Sequence, residues 1–518
     1  MKSFSRRKFL SSAGMMVGGA YPAMMALGML EPAPARAITL NGTGNGKKII
    51  ILGAGIAGMT SAWELSKLGY DCTVLEARSR TGGRCWSVRN GAVNTENGLG
   101  HQQAAFDKGL YFNAGPSRIP HHHAITLQYC KALKVPLEVY NNINEAAYYY
   151  SEGKGPLCNR KIRMREVQND IRGYMSELLA KAMDQKKLDT NFTNEDNQKI
   201  IEYLRAEGGL DIDKLYKASS RRGYSITPAA GLSEGNIAAA FSLSDILASG
   251  LMNPDFYNVG QYTYELQMTM FQAIGGMDKI TDALAQKITG RIKLNAVVKA
   301  IKNEDDGVTV TYTTNNTTQQ VKADACICTI PLPVLSNIEN NFSSDVSRAI
   351  DFTSYIATGK IGLQFKRRFW EEDEQVYGGI THTNNELTQI FYPNNNYHDE
   401  KGILIGYYNF NDKARRTGAL TYKDREVLAL QKGRLIHPQY DSAFEKSFSI
   451  SWHKDPYSLG GWALYNSEER HSNYKALLQP EGKVYFAGEH LTYWNAWMAG
   501  AFESALDVTT ALHTREKV

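Results

Sequence analysis

The residues with the plainest chemical purpose stand six in a row. Gly53-Ala54-Gly55-Ile56-Ala57-Gly58 fits the pattern G-x-G-x-x-G. The apolar run Lys47–Leu52 precedes it, a helical pattern follows to Leu68 and stops at Gly69, and a second strand pattern, Asp71–Glu76, ends in an acid. Glu76 lies 18 residues after Gly58. In such a unit Gly53 permits the tight turn, Gly55 lets the backbone approach a pyrophosphate, and Gly58 lets the helix lie close to the strand. The helix N-terminus offers unpaired N–H groups to the phosphates. A carboxylate closing the second strand accepts hydrogen bonds from a ribose with a free 2′-hydroxyl, which fits NAD or FAD rather than NADP.

A unit of this kind needs a domain around it, and the chain has room for several. Its 518 residues suggest two to five domains. A hydrophobic share of 43% and a charged share of 21% are ordinary for a globular protein and exclude disordered, collagenous and coiled-coil chains. No repeat with a period of 20–50 residues is visible, against a solenoid or propeller. The net charge is +5, but Lys2, Arg6, Arg7, Lys8 and Arg36 stand against Glu31 alone in residues 1–37. The remaining body is near neutral and carries no electrostatic footprint for nucleic acid.

Those first 37 residues have their own logic. Ser5-Arg6-Arg7-Lys8-Phe9-Leu10 leads into a mildly apolar run to Leu30 and then to Ala35-Arg36-Ala37. Paired arginines, an apolar stretch and a small-x-small site describe a cleavable twin-arginine signal. Gly14, Gly18, Gly19, Pro22 and Gly28 interrupt the run, which argues against a membrane anchor. The expected destination is the periplasm or the exterior, with no stable membrane span after cleavage. None of the six cysteines forms C-x-x-C, and Cys326 and Cys328 alternate on one apolar strand, so buried small hydrophobes are expected.

The segment after Glu76 distinguishes the two cofactors. Glu76-Ala77-Arg78 followed by Gly82-Gly83-Arg84 resembles the flavin amine oxidase superfamily, and the likeness runs from about Lys48 to Leu512. The resemblance implies an α/β fold: a FAD-binding Rossmann-type domain assembled from 47–120, 270–330 and 450–512, a mainly helical part over 121–269, and a mixed-sheet substrate domain over 331–449. Gly83 and Arg84 would approach the FAD phosphates.

Asn113–Pro120, with Gly115-Pro116-Ser117-Arg118 at its centre, resembles the L-amino acid oxidase segment that lies against the flavin. Its arginine, here Arg118, pairs bidentately with the substrate carboxylate, a task suited to a planar guanidinium. His121, His122 and His123 follow; three successive side chains do not converge on one metal, so solvated or helix-starting histidines are expected and no metal site is assigned. Residues 160–265 read as a helical insertion covering the active site. Val298 matches the family position whose backbone reaches the adenine. Lys360 matches the family lysine that holds a water near flavin N5, and Tyr392, in Phe391-Tyr392-Pro393, matches a tyrosine that gives the carboxylate its second hydrogen bond.

In the last third, Asp455-Pro456-Tyr457-Ser458 resembles another family stretch. Gly461 stands where monoamine oxidases attach flavin through a cysteine, so the resemblance implies non-covalent FAD. Glu489, in Val484–His490, would meet the pyrophosphate or ribityl region. Trp497, Met498 and Ala501 open the last helix towards the flavin. Ala496 would accept the substrate amine through its carbonyl, and Trp462 and Trp497 would wall the substrate pocket.

Together the resemblance implies oxidative deamination of L-amino acids. Hydride would pass from Cα to flavin N5, O₂ would reoxidise the flavin with release of H₂O₂, and the imine would hydrolyse to a 2-oxo acid and ammonia. Homodimers are common in the family. The alternatives are an amine or polyamine oxidase, an amino acid 2-monooxygenase of the same fold, and, least consistent with Arg118, Lys360 and Tyr392 together, a non-enzymatic exported flavoprotein.

Overall fold

The computed structural model describes residues 40–185, 192–257, 263–465, 470 and 473–517. The expected signal segment, 1–37, lies outside them. Five parallel strands form the first sheet, in the order Ile292–Lys293, Asp71–Leu75, Lys48–Leu52, Ala325–Cys328, Val484–Phe486. Its strands are nearly continuous apolar runs because both faces are covered. Ile49, Ile51, Val74 and Ile327 join one core with the helices Ile56–Lys67, Lys279–Lys287 and Met498–Glu516. Ile50, Leu52, Leu75, Cys326 and Cys328 join another, beneath a four-stranded sheet whose long strands are Val297–Glu304, Gly307–Thr314 and Thr317–Ala323. Cys326 and Cys328 share a face, as strand alternation requires.

The second large sheet has seven strands, in the order Lys161–Arg163, Tyr148–Tyr150, Ile380–Thr383, Gln389–Phe391, Gly402–Phe410, Thr358–Phe365, Phe444–Ser451. Two of these come from within 121–269, so that stretch is not helical throughout. Its long helices are Met164–Asp184 and Asn194–Gly208. The second begins at Thr193, whose side chain caps the Asp196 N–H, and ends at Gly209 with φ of 63°.

One face of the seven-stranded sheet buries Ile361, Leu363, Ile390, Tyr392, Leu404 and Tyr407. The other packs Ile380, Phe391, Ile403, Ile405 and Phe448 against Trp86, Phe112 and Ala114 of the nucleotide-binding half. A register shift interrupts the pairing between Thr358–Phe365 and Gly402–Phe410: Ile361 faces Tyr407 while Gly362 faces Ile405, leaving Gly406 as the extra residue. This bulge reverses the side-chain alternation beyond it. Tyr408 thereby joins Ile403 and Ile405 on the inner face.

Candidate active site

A cleft of about 1420 Å³ opens at the carboxyl ends of the parallel strands and reaches the seven-stranded sheet. That is where open α/β sheets bind ligands. Gly53, Gly55, Ile56, Ala57, Glu76, Ala77, Arg78, Gly83, Arg84, Gly115, Pro116 and Val298 line it, and Lys360, Trp462, Glu489, Ala496, Trp497, Met498 and Ala501 complete it. These are residues singled out by sequence, drawn together from the whole length of the chain. Gly58 is placed behind the wall, where a Cβ would lie 2.0 Å from the Gly53 carbonyl oxygen. Ser117 is also off the main cleft, on a second, smaller cavity.

The nucleotide half is built largely of backbone. Gly53 adopts φ of 103° in the turn. A Cβ on Gly55 would meet nothing within 4 Å, so its backbone borders open space. The helices that begin at Ile56 and Met498 both point their first turns at the cleft, and neither has a side-chain cap. Two uncapped helix N-termini make the cleft suited to an anionic dinucleotide. The Glu76 carboxylate accepts from the backbone N–H of Ala54 at 2.8 Å and of Arg78 at 2.9 Å, tying the glycine turn to the second strand.

Glu489 spends its oxygens inside the protein. It pairs with Arg84 at 2.8 Å and accepts from the N–H groups of Ala463 at 3.3 Å and Ala496 at 3.1 Å. Ala496 has φ of 70°, a left-handed backbone that an alanine adopts at a cost. Glu489 holds that strained residue at the mouth of the last helix.

The opposite wall is built of side chains. Lys360 is buried, and its Nζ donates to the carbonyls of Asn113 at 3.1 Å and Gly115 at 2.5 Å and meets the Ser117 hydroxyl at 3.2 Å. Nζ also lies 4.4 Å from the centre of the Tyr408 ring. Burial, and then the nearby Arg118 charge, lower the lysine to about 7. Arg118 sits over the Phe391 ring, 5.6 Å from its centre, and its Nε is buried without a hydrogen-bond partner. Tyr140, Tyr408 and His382 face it: burial raises both phenols, Tyr408 to about 12, and the Arg118 charge partly offsets this. Burial and then Arg118 lower His382 to about 4.

Tyr392 is not brought to this group. Its hydroxyl hydrogen-bonds Thr381 at 2.8 Å and His437 Nε2 at 2.7 Å, on the outer face of the sheet. It follows Phe391, and successive strand residues point to opposite faces, so Phe391 meets Arg118 and Tyr392 does not. Tyr408, which the Gly406 bulge turns inward, faces Arg118 where Tyr392 was expected to. Tyr140 and His382 had no sequence signal at all.

The three histidines differ from the expectation in part. His123 precedes the helix Ala124–Ala132 but is buried against Trp494 and Trp497, with ring centres 5.0 and 4.9 Å away. His122 lies 4.3 Å from Tyr264, and burial lowers it to about 4. Only His121 is exposed. Among the described residues no group of three or more His, Cys, Asp or Glu is placed to hold a metal. No helix among them is long and apolar enough to cross a membrane.

Comparison with known proteins places this geometry. An L-amino acid oxidase of Bothrops pictus is 29% identical over 490 residues, 91% of each chain. An L-amino-acid oxidase of Crotalus adamanteus is 28% identical over 488 residues, 90% of this chain and 87% of that one. The cyclohexylamine oxidase from Brevibacterium oxydans IH-35A superposes with a TM-score of 0.60 at 16% identity, covering 91% of this chain and 99% of that one. The family model described as flavin containing amine oxidoreductase matches residues 56–513. The chain belongs to the flavin-containing amine oxidoreductase family.

Proposed function

We propose that this oxidoreductase binds FAD non-covalently and oxidises L-amino acids with O₂ to 2-oxo acids, ammonia and H₂O₂. One observation carries the substrate class. Arg118, whose charge acts on Lys360 and Tyr408 of the cleft wall, has a buried Nε without a hydrogen-bond partner, and among the described residues it forms no ion pair with a carboxylate. A buried donor without an acceptor is costly, and a substrate carboxylate would supply the acceptor. An oxidase of simple amines has no such group to offer.

The cofactor fits what the chain presents. The uncapped helix N-termini and the Gly53–Gly58 turn would hold the pyrophosphate, Glu76 a ribose, and Val298 the adenine end. Gly461, on the cleft wall, offers no nucleophile for a covalent link. Bound FAD would supply the two-electron acceptor that O₂ regenerates. The chain's part is orientation and proton handling. Arg118 and the Tyr408 hydroxyl hold the carboxylate. The Ala496 carbonyl receives the amine. Trp462 and Trp497 flank the side chain and shut out water. Lys360, lowered to about 7, exchanges a proton near neutral pH. Residues 1–37 fit export of the folded, flavin-loaded protein by the twin-arginine route.

The test is peroxide and ammonia release from purified protein with L- and D-amino acids and simple amines. Equal peroxide and ammonia from L-amino acids is the expected outcome, with a rate that rises as the substrate ammonium deprotonates. Arg118→Ala should raise KM for amino acids roughly 10²–10³-fold, the loss of two charge-assisted hydrogen bonds. Peroxide from amines alone, or an unaltered KM in Arg118→Ala, overturns the proposal.

A further inference from the structure

Lys360 Nζ has three oxygen neighbours, and they are not equivalent. Two are the carbonyls of Asn113 and Gly115; the third is the Ser117 hydroxyl at 3.2 Å. A carbonyl only accepts, whereas a hydroxyl accepts and donates. As an ammonium, Lys360 donates to all three. As a neutral amine it keeps two N–H bonds for the carbonyls and presents one lone pair. Of the three, only Ser117 can donate to that lone pair. The Ser117 O–H must therefore turn towards Nζ when the lysine is neutral and away when it is charged.

The direction away leads somewhere. Ser117 lies on the wall of a second cavity of about 380 Å³, together with Asn113, Tyr140, Gln272 and Asn394. Lys360 lies on the wall of the main cleft and not on this one; Ser117 lies on this one and not on the main cleft. The partition between the two spaces is crossed by the bonds of Lys360 to the Asn113 carbonyl and to the Ser117 hydroxyl, and only the hydroxyl can pass a proton on.

We propose that Ser117 is a proton relay through which Lys360 gains and loses its proton on the second-cavity side, away from the substrate. In discharge, a proton passes from Lys360 Nζ to Ser117 Oγ while the hydroxyl's own proton passes to water in the second cavity. Loading is the reverse. Only N–H and O–H bonds form and break, and no electrons move. The relay deepens the proposed function, on which it rests for the closeness of Lys360 to the reacting atoms.

The charged and titratable groups that face Lys360 are few. Arg118 opposes its charge, and the Tyr408 ring lies under Nζ. His382 and Tyr140 lie beyond, facing Arg118. No carboxylate among the described residues forms an ion pair with Nζ. The ammonium's bond to Ser117 is charge-assisted and stronger than the hydroxyl's bond to the neutral amine. Removing the hydroxyl thus disfavours the charged form.

The test is competitive acetylation of Lys360 as a function of pH, read by mass spectrometry on the flavin-loaded protein. Ser117→Ala should move the midpoint down by roughly 0.5–1 pH unit, and Ser117→Thr, which keeps the hydroxyl, should restore it. A second readout is the proton inventory of reoxidation by O₂ after reduction with dithionite. It should be bowed in the parent protein and linear in Ser117→Ala. The same midpoint and inventory in Ser117→Ala, or an equal shift in Ser117→Thr, overturns the relay. Should Ser117→Ala not fold, the near-isosteric Ser117→Cys takes its place, with a weak donor and acceptor. Neither readout needs an organic substrate, so a failed relay is told apart from a failed amino-acid reading, which shows only in the peroxide panel.

Discussion

On the side of the five-stranded sheet, the cleft is walled by backbone: a glycine turn, two helix N-termini, strand ends. On the side of the seven-stranded sheet it is walled by side chains that project from strands far apart in sequence, Lys360 and Tyr408, with Arg118, Tyr140 and His382 behind them. Backbone recognition demands small residues at fixed spacing, because only they allow the approach. Side-chain recognition demands only that some strand residue point inward. The first wall is therefore intolerant of added atoms and the second of altered polar groups.

Three experiments bear on that contrast. The largest effect is expected at Gly58, where a Cβ would lie 2.0 Å from the Gly53 carbonyl oxygen. Gly58→Val should yield protein almost without flavin, read from the absorbance ratio of flavin to protein. A full flavin complement would show that the turn can yield and that the wall is not backbone-limited.

The next effect separates two tyrosines. Tyr408→Phe should raise KM for amino acids roughly 10–100-fold, about one hydrogen bond to a charged group. Tyr392→Phe should leave KM unchanged and cost about 1 kcal/mol of stability by orphaning His437 Nε2 and taking one of two partners from Thr381. The reverse pattern would restore Tyr392 to the site and remove the significance of the bulge.

The smallest effect concerns acid. His382 behind one wall is held at about 4 and His490 behind the other at about 3, both chiefly by burial. A folded value below the unfolded 6.5 means that the unfolded chain binds protons first. Each histidine then contributes stability that is present above pH 6.5 and lost as pH falls towards 4 and 3 respectively. His382→Gln and His490→Gln should each flatten the decline of Tm between pH 6.5 and 4.5, whatever they do to its value at pH 7. Equal slopes in parent and variants would mean that these rings are not kept neutral.

The same contrast explains what was legible in the sequence. Gly53–Gly58 and Glu76 were legible because their spacing is the mechanism, and Gly83-Arg84 and the Trp497-Met498 helix start through the family resemblance. The strand Thr358–Phe365 and its Lys360 were legible through the family resemblance, since alternation alone would read that lysine as an edge charge. Tyr408 was not. Strict alternation from Ile403 and Ile405 would turn Tyr407 inward, and the single extra residue at Gly406 transfers that position to its neighbour. A one-residue bulge has no composition of its own, and a glycine inside a strand is its only trace. The outward turn of Tyr392 is hidden for the related reason that a motif records neighbours in sequence, whereas a strand sends neighbours to opposite faces. The further role of Glu489 as an internal clamp depends on Ala463 and Ala496 arriving from elsewhere.

The strand order of the parallel sheet has a consequence for how the protein is made. Ala325–Cys328 is entirely buried between Lys48–Leu52 and Val484–Phe486. During synthesis the first neighbour is already present when this strand leaves the ribosome, but the second is not. At roughly 5–20 residues per second, its apolar edge stays open for roughly 10–30 s before Val484 is available to close it. An open, flat, apolar edge is a template for the wrong partner. Slowing translation through the intervening region should lower soluble yield, and a chaperone that shields nascent apolar strands should recover it.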